Sequence, residues 1–256
     1  MKIAIVTGAS SGMGREFVYA LDREGKYEEI WVIARRADRL ESLKTECKTA
    51  IRPIALDLGK AESFDAYRTL LETEKPNVSV LVNCAGFGKF GTYAEIPTEV
   101  ACEMIDLNCK ALVRMTEYTL PYMNTGAHIV ELDSLSSFQP VPYIGVYGAT
   151  KAFVLSYSRA LNVELRPRGI KVMAVCPGWV RTDFFDRAKT DCTNAVTYFN
   201  KMYEAKDVVA TAMHDLYKPK KDVSIHGFPV RAQVLAVKLL PHRFVMHTWM
   251  KQQKHL

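Results

Sequence analysis

Several features that mark other protein classes are missing from this chain of 256 residues. Its six cysteines show no CxxC or metal-type spacing, and no further ligand types lie near His242 and His247, so the sequence predicts no metal site. No apolar run reaches the roughly 20 residues that span a bilayer. A strand is predicted from Lys2 onward, which leaves no room for a targeting peptide. Together these absences predict a cytoplasmic protein with reduced, largely buried thiols.

Nothing divides the chain into separate units, because it has no internal repeat, low-complexity tract or linker before its tail. With 48% hydrophobic and 24% charged residues, it is predicted to form one globular domain over residues 1–256. The net charge of +6 is unevenly placed. Eight of the 34 Lys and Arg and one of the 28 acidic residues lie from Lys218 onward, so this tail carries +7 and the remainder −1. A nucleic-acid surface is therefore not predicted.

Apolar runs that favour strands alternate with segments of helical period through most of the chain. The predicted strands are Ile3–Val6, Ile30–Ala34, Ile51–Leu56, Val78–Val82, His128–Leu132 and Ile170–Cys176. The predicted helices lie near residues 14–24, 38–48, 61–74, 98–123 and 147–165. Nearly continuous apolar strands are typical of parallel sheets covered on both faces. The pattern predicts an α/β fold, a doubly wound, Rossmann-like parallel sheet of about seven strands with helices on both faces.

The first strand runs into a glycine-rich loop, Thr7-Gly-Ala-Ser-Ser-Gly-Met-Gly14, and then into a helix. Gly8 permits the tight turn, Gly12 lets backbone approach a pyrophosphate, and Gly14 allows close helix packing. The helix N-terminus then faces the phosphates with its amides. A plain glycine turn is the alternative. We predict a dinucleotide site that includes Gly8, Ser10, Ser11, Gly12, Met13 and Gly14.

Two arginines, Arg35 and Arg36, follow the second predicted strand, and no acid occurs before Asp38. An NAD-selective site usually places an acid here for the ribose 2′-hydroxyl, whereas arginine suits a 2′-phosphate. A pair of solvated charges at a helix start is the alternative. The arginines favour NADP(H) as the cofactor, because a guanidinium makes strong charge-assisted bonds to phosphate.

Tyr147 and Lys151 lie four residues apart in a predicted helix start, which places them on one helical face. A nearby ammonium lowers a phenol pKa from about 10 toward neutral pH, so Tyr147 is predicted to donate and accept a proton. Ser134, at the preceding strand end, is placed to hydrogen-bond the reacting oxygen. Tyr-x-x-x-Lys is a weak motif by itself, and two exposed helix residues are the alternative.

Other polar residues follow the carboxyl ends of predicted strands, where an open α/β sheet binds ligands. These are Asp57-Leu58, Asn83-Cys-Ala85-Gly86 and Pro177-Gly-Trp-Val-Arg-Thr182. Asn108 instead lies within a predicted apolar helix, where a polar side chain needs a partner. Two roles remain open for Asn108, which are fixing the helix backbone and taking part in catalysis.

In order and interval, these residues resemble the signature set of the short-chain dehydrogenase/reductase family: Thr7–Gly14, Asn83–Gly86, Asn108, Ser134, Tyr147, Lys151 and Pro177-Gly178. The resemblance covers about residues 1–225 and is closest in type to an NADP-preferring, hydroxysteroid dehydrogenase-like member. Cys84 departs from the family pattern, which often has a second Asn there. Many members end with a strand and a short Gly-rich tail, whereas this chain continues as a basic segment. A homodimer, rather than the usual tetramer, is therefore expected.

The resemblance implies that a hydride passes between NADP(H) and a carbonyl carbon while Tyr147 protonates the oxygen. Lys151 would lower the Tyr147 pKa and hold the nicotinamide ribose, and Ser134 would orient the carbonyl. Asn108 would support a water chain from Lys151 to solvent. The implied cofactor contacts also include Asp57, Leu58, Asn83, Ala85, Gly86, Pro177, Gly178, Val180 and Thr182.

Residues predicted to shape the substrate pocket are Phe87, Ser136, Phe138, Tyr143, Trp179, Phe184 and Phe185, with segment 183–204 similar to a mobile lid. Their aromatic character favours a bulky apolar ketone or alcohol such as a steroid or bile acid. The alternative is that they pack the lid onto the body. The runner-up function is reduction of acyl-chain or small ketones, and a non-catalytic NADP(H) sensor is an alternative from another class. An epimerase or dehydratase relative is a further alternative, but such relatives usually carry a larger substrate domain, for which this chain has no residues.

The tail, residues 229–255, reads as two short helices broken at Pro241, with mixed apolar and basic faces. Such helices can lie on an anionic membrane surface, form a dimer contact or cap the substrate cleft. We expect packing against the body, with peripheral membrane contact as the alternative.

Overall fold

The computed structural model describes residues 1–189 and 195–253, and these residues build one central parallel sheet. Its strands are β1 (Lys2–Thr7), β2 (Glu29–Ala34), β3 (Ala50–Ala55), β4 (Asn77–Asn83), β5 (His128–Leu132) and β6 (Lys171–Val175). Two short strands, β7 (Trp179–Arg181) and β8 (Met202–Glu204), pair separately, and β9 (Val223–Ser224) joins the edge beside β6. The order β3-β2-β1-β4-β5-β6-β9 confirms the predicted seven-stranded, Rossmann-like sheet within the described chain.

Both faces of the sheet are buried, which explains why its strands are apolar along their whole length. Ala4 and Val6 pack into one hydrophobic cluster, whereas Ile3 and Ile5 pack into another. Successive side chains of a strand point to opposite faces, so the two clusters lie on opposite sides of the sheet. The fold therefore consists of a sheet between two helical layers.

The helices are α1 (Gly12–Glu24), α2 (Ala37–Glu41), α3 (Leu43–Glu46), α4 (Glu62–Glu74), α5 (Thr98–Ile105), α6 (Leu112–Thr119), α7 (Gly145–Glu164), α8 (Phe184–Lys189), α9 (Ala205–Leu216), α10 (Phe228–Leu239) and α11 (His242–Gln252). Two predicted helices are interrupted. The helix predicted over 38–48 divides at Ser42, whose hydroxyl donates to the carbonyl of Arg39 (3.1 Å) and so competes with helical bonding.

The helix predicted over 98–123 contains one wide π-helical turn, Asp106–Ala111, and ends in a tight turn at Leu120–Tyr122. A π turn inserts one residue into the helical period and is frequent at functional sites. The residue periodicity of the sequence does not reveal this π-helical turn. This turn carries Asn108, so the irregularity lies where the sequence singled out a polar residue.

The strand order reverses between β1 and β4, where a doubly wound sheet opens a crevice at its carboxyl edge. The glycine loop follows β1, Arg35 follows β2, and Ser134 lies beyond β5. The sheet thereby gathers most of the predicted site at one edge.

The carboxyl-terminal segment forms α10 and α11, separated at Pro241 as the sequence predicts. Val234 and Val237 of α10 and Val245 and Trp249 of α11 are buried against the body. Residues 254–256, which include Lys254 and His255, lie outside the described part of the chain. Among the residues that are described, no helix is both long enough and apolar enough to cross a membrane.

Candidate active site

A cavity of about 590 Å³ extends from the glycine loop, across the carboxyl edge of the sheet, to α10 and α11. Its wall contains nearly all of the residues predicted to contact a cofactor: Gly8, Ser10, Ser11, Gly12, Met13, Gly14, Arg35, Arg36, Asp57, Leu58, Ala85, Gly86, Tyr147, Lys151, Pro177, Gly178, Val180 and Thr182. The fold brings together residues that are up to 174 positions apart in the sequence.

The glycine loop is shaped by two close approaches of main chain. Gly8 has φ +67°, and a Cβ there would lie 2.8 Å from the carbonyl carbon of Cys84. A Cβ on Gly14 would overlap the carbonyl oxygen of Gly8, so α1 begins directly against the loop. Both positions need glycine for space, and Gly8 needs it for conformation as well. This cradle fits a pyrophosphate at the N-terminus of α1.

The two arginines lie on the cavity wall beside the loop. The Arg36 guanidinium donates from Nη2 to the hydroxyls of Ser10 (2.9 Å) and Ser11 (2.8 Å). Its Nη1 also lies 3.7 Å from the Asp183 carboxylate at the start of the lid segment. Guanidinium and hydroxyl groups thus converge on the cavity wall beside the glycine loop.

The proposed catalytic residues meet midway along the cavity. Tyr147 and Lys151 lie one turn apart on α7, with the Lys151 ammonium 5.8 Å from the centre of the Tyr147 ring. Lys151 is buried and donates to the carbonyl oxygen of Leu132 (2.6 Å). Ser134 is hydrogen-bonded to Tyr147, and its Oγ accepts from the backbone N–H of Ser136 (3.1 Å). Tyr147, Lys151 and Ser134 all face the same cavity.

The protonation of this group differs from the expectation drawn from the sequence. Burial raises the pKa of Tyr147 above its ordinary value, a hydrogen bond to Ser134 opposes that rise, and Asp133 adds to it. Burial also lowers the pKa of Lys151, opposed chiefly by Asp133. The predicted lowering of the Tyr147 pKa by Lys151 is therefore wrong for this structure, because desolvation of the phenolate dominates. Tyr147 is held as a neutral phenol, which is a proton donor.

Asn108 fixes the backbone around the site. Its Nδ2 donates to the Phe87 carbonyl (2.8 Å) and to Thr150 Oγ1 (3.0 Å), and its Oδ1 accepts from the Phe87 N–H (3.0 Å). A Cβ on Gly86 would lie 2.8 Å from Asn108 Oδ1. These bonds fix the backbone of the loop after β4 and link it to α7, whereas the predicted role was to fix the backbone of the helix that carries Asn108. A role in a water chain stays a prediction.

Asn83, by contrast, lies behind the cavity wall rather than on it. Its amide nitrogen donates to Thr116 Oγ1 (3.0 Å) and to the buried carboxylate of Glu131 (3.3 Å). Asp133 is also buried and accepts from the Cys176 thiol (3.1 Å). These two acids in the β5 segment were missed in the sequence, although a carboxylate inside an apolar strand is itself an available signal.

The predicted substrate residues divide into two groups. Phe87, Ser136, Trp179, Phe184 and Phe185 line the cavity, whereas Phe138 and Tyr143 do not. The Phe138 ring contacts the Lys238 ammonium instead (5.2 Å), and the Tyr143 carbonyl accepts from the Gly91 N–H (2.9 Å).

The aromatic side chains also pack against one another. The Phe90 ring lies about 6 Å from the rings of Trp179, Phe184, Phe185 and Phe199. Phe184 additionally contacts the Tyr147 ring, with centres 5.4 Å apart. The aromatics therefore anchor the lid segment to the body and also form cavity wall. Within the lid, residues 190–194, including Cys192, lie outside the described residues.

The carboxyl-terminal helices supply wall residues that were not identified from the sequence: Gln233, Ala236, Val237, Leu240, Phe244, Val245, Thr248, Trp249 and Gln252. Trp249 Nε1 donates to the carbonyl of Pro142 (3.0 Å), and its ring lies 6.5 Å from that of Trp179. Gln253 Oε1 accepts from the backbone N–H groups of Thr197 (2.8 Å) and Tyr198 (2.9 Å). The tail thus packs on the body and caps the cavity.

The fold and site define a dinucleotide-binding α/β protein with a Ser–Tyr–Lys group, and comparison with known proteins gives the family. Residues 2–193 match the family described as short chain dehydrogenase. An uncharacterized oxidoreductase of Staphylococcus epidermidis is 31% identical over 208 residues, covering 77% of this chain and 90% of that protein. The chain belongs to the short-chain dehydrogenase family of oxidoreductases.

Two solved structures share the whole architecture. A short-chain dehydrogenase from Sphingobium yanoikuyae in complex with NADPH superposes with a TM-score of 0.80 at 28% identity, covering 97% of this chain and 96% of that one. The bulky-bulky ketone specific alcohol dehydrogenase from Comamonas testosteroni gives a TM-score of 0.73 at 26% identity, covering 93% and 92% respectively. Because the first alignment covers 97% of this chain, the likeness to the Sphingobium structure extends into the tail.

Proposed function

We propose that this protein is an NADP(H)-dependent oxidoreductase that interconverts a ketone and a secondary alcohol, with Tyr147 as the general acid and base. The observation that carries the proposal is one continuous cavity that holds the glycine cradle, the paired arginines and the Ser134–Tyr147–Lys151 group. The glycine cradle and Tyr147 line the same cavity, so both could contact one cofactor. The NADPH complex of the Sphingobium relative supports this cofactor.

Each residue of the group has a role that its contacts support. A nicotinamide cofactor held by the glycine cradle would supply the hydride to the carbonyl carbon in reduction and would take it up in oxidation. Ser134 Oγ accepts from the Ser136 N–H (3.1 Å) and the Ser136 hydroxyl (3.0 Å), which leaves its own proton to donate. That proton serves Tyr147 in this structure and would turn to the carbonyl oxygen of a bound substrate. Tyr147 gives its phenolic proton to that oxygen, which completes the alcohol. The Lys151 ammonium would offset only part of the charge left on the phenolate, because burial keeps the pKa of Tyr147 raised. In the oxidation direction, the Tyr147 phenol would have to lose its own proton before it could accept that of the alcohol, because burial holds it neutral.

Cofactor preference gives a first testable prediction. Arg35→Ala and Arg36→Ala should each lower the ratio of kcat/KM for NADPH to that for NADH by about tenfold or more, since a charge-assisted hydrogen bond contributes about 1.5–3 kcal/mol. Steady-state kinetics with both cofactors measure this ratio. Arg68→Ala is the matched control, because Arg68 pairs with Glu72 on α4 (3.9 Å) and does not line the cavity. An unchanged ratio in both variants would refute the NADP(H) assignment.

The proposed substrate is a bulky apolar ketone or alcohol of the steroid or bile-acid type. The cavity beyond Tyr147 is walled by Trp179, Phe184 and Phe185 and by apolar residues of α10 and α11, which fits an extended apolar ring system. The Comamonas relative, specific for bulky-bulky ketones, supports a large substrate on both sides of the carbonyl. Acyl-chain or small ketones are the second candidate.

A substrate panel separates these candidates. NADPH oxidation should be fastest with ketosteroids or oxo-bile acids and slow with β-ketoacyl thioesters and small diketones. Turnover confined to the acyl or small ketones would instead assign the aromatic residues to packing alone. NADPH binding without turnover of any carbonyl compound would favour a non-catalytic sensor.

A further inference from the structure

The outer side of the carboxyl-terminal helices presents large apolar residues to solvent. On α10, Phe228 is 81%, Leu235 62% and Leu239 77% exposed. Their spacing of seven and four residues places them on one side of the helix. Val234 and Val237 hold the opposite side against the body, so the orientation of this apolar stripe is fixed by packing.

The charged residues beside this apolar stripe are all basic. After Asp222 the sequence contains no Asp or Glu. Lys238 lies next to the stripe on α10, and Arg243, His247 and Lys251 recur every four residues along the exposed side of α11. We call the apolar stripe and these basic residues the outer face of the extension.

The outer face is continuous with the wall of the cavity. Leu240 and Phe244, at the junction of α10 and α11, are 41% and 56% exposed, yet both also line the cavity. An apolar path therefore leads from the exposed stripe into the cavity that contains Tyr147. Leu240 and Phe244 therefore connect the outer face to the candidate active site.

We propose that the outer face of the extension docks on an anionic lipid bilayer, with the cavity opening toward the membrane surface. Exposed leucine and phenylalanine side chains beside a row of lysine and arginine are the pattern of helices that lie in the bilayer interface. Basic residues next to the apolar side chains are attracted to anionic headgroups. A second copy of the chain fits less well, since a two-fold contact would bring two basic faces together.

The proposed docking on a bilayer is inferred from the protein surface alone and does not depend on which reaction the protein catalyses. The inference about the substrate, by contrast, rests on the proposed function. A cavity that opens at a bilayer would take up apolar carbonyl compounds that partition into lipid. Leu240 and Phe244 would then contact the substrate on its way to Tyr147.

Vesicle co-sedimentation of the full-length protein tests the docking without cofactor or substrate. The protein should sediment with vesicles of phosphatidylcholine mixed with phosphatidylglycerol, and much less with phosphatidylcholine alone. Leu235→Ser/Leu239→Ser and Arg243→Ala/Lys251→Ala should each lower the partition coefficient roughly tenfold. Val163→Ser, which removes an exposed apolar side chain from α7, is the matched control and should bind like the wild type. Circular dichroism melts check that all variants are folded.

Three results would overturn the docking. The wild type could stay in the supernatant with anionic vesicles, or the folded leucine variant could sediment as well as the wild type. Alternatively, analytical ultracentrifugation could show that the leucine variant converts a dimer to a monomer while the wild type binds no vesicles, which would make the face a subunit contact. If the protein reduces soluble ketones but does not bind vesicles, the proposed reaction is retained and only the proposed docking is refuted.

Discussion

Replacing Tyr147 with phenylalanine is expected to lower turnover by roughly 10²–10⁴-fold, the range that a positioned proton donor contributes. The substitution removes one oxygen atom and leaves the ring in contact with Phe184. The carbonyl oxygen then receives no proton as the hydride arrives, while the glycine cradle and the arginines are unchanged. NADPH affinity should therefore stay near that of the wild type. Single-turnover kinetics and cofactor fluorescence measure the two quantities separately.

Tyr143→Phe is the matched control for this experiment. Tyr143 is also a tyrosine near the start of α7, but it does not line the cavity. Its substitution removes one hydroxyl from a residue outside the cavity wall and leaves the ring in place, so turnover should stay within about threefold of the wild type. Near-normal turnover in Tyr147→Phe, or equal losses in the two variants, would show that Tyr147 is not the proton donor.

The sequence predicted those parts of the structure that depend on local pattern. Strand–helix alternation gave the parallel sheet because burial on both faces leaves each strand apolar, as Ile3 and Ala4 show by packing into opposite clusters. The glycine loop and the Tyr147–Lys151 pair were identifiable because tight turns and helical spacing restrict the residue types. Such constraints act within a few residues of the chain.

The remaining features depend on distant contacts that a single sequence does not reveal. Trp249 donates to the carbonyl of Pro142, 107 residues earlier, and that docking turns the tail into cavity wall. Asn83 was assigned to the cofactor by resemblance, yet its amide turns inward to Glu131 and Thr116. The predicted direction of the Tyr147 pKa shift was wrong, because the sequence shows the charge of Lys151 but not how deeply Tyr147 is buried. The site could be located from sequence, but its electrostatics required the fold.

The second prediction with a large expected effect concerns Glu131, whose substitution should change the stability of the protein rather than its turnover. This carboxylate is fully buried on β5, where one oxygen accepts from Thr116 Oγ1 (2.9 Å) and Asn83 Nδ2 (3.3 Å). Its other oxygen, Oε2, has no hydrogen-bond partner within the described part of the chain. Burial raises the pKa of Glu131 from 4.5 to about 8, against the opposing effects of Thr116, Asn83 and Lys151. Between these two pKa values, the folded protein therefore keeps a proton on Glu131 that the unfolded chain releases.

The sign of the pH effect follows from that difference. A group that binds its proton more tightly in the folded state raises the free energy of unfolding. This stabilisation is complete below the pKa of the unfolded chain and is lost as the pH rises to the pKa of the folded protein. Wild-type stability should fall across this interval. Glu131→Gln stays neutral throughout, so its stability relative to the wild type should rise by about 3–5 kcal/mol between roughly pH 5 and pH 9. Urea unfolding followed by circular dichroism at several pH values measures this difference.

Glu164→Gln is the control, since Glu164 is exposed at the end of α7 and its substitution should shift the curve by less than about 0.5 kcal/mol at any pH. Part of the pH dependence should persist in Glu131→Gln because burial also raises the pKa of Asp133, to about 7, with the same sign. Adding Asp133→Asn should remove that part too. A relative stability of Glu131→Gln that does not change with pH would contradict the argument, because it would mean that Glu131 is ionised in the folded protein.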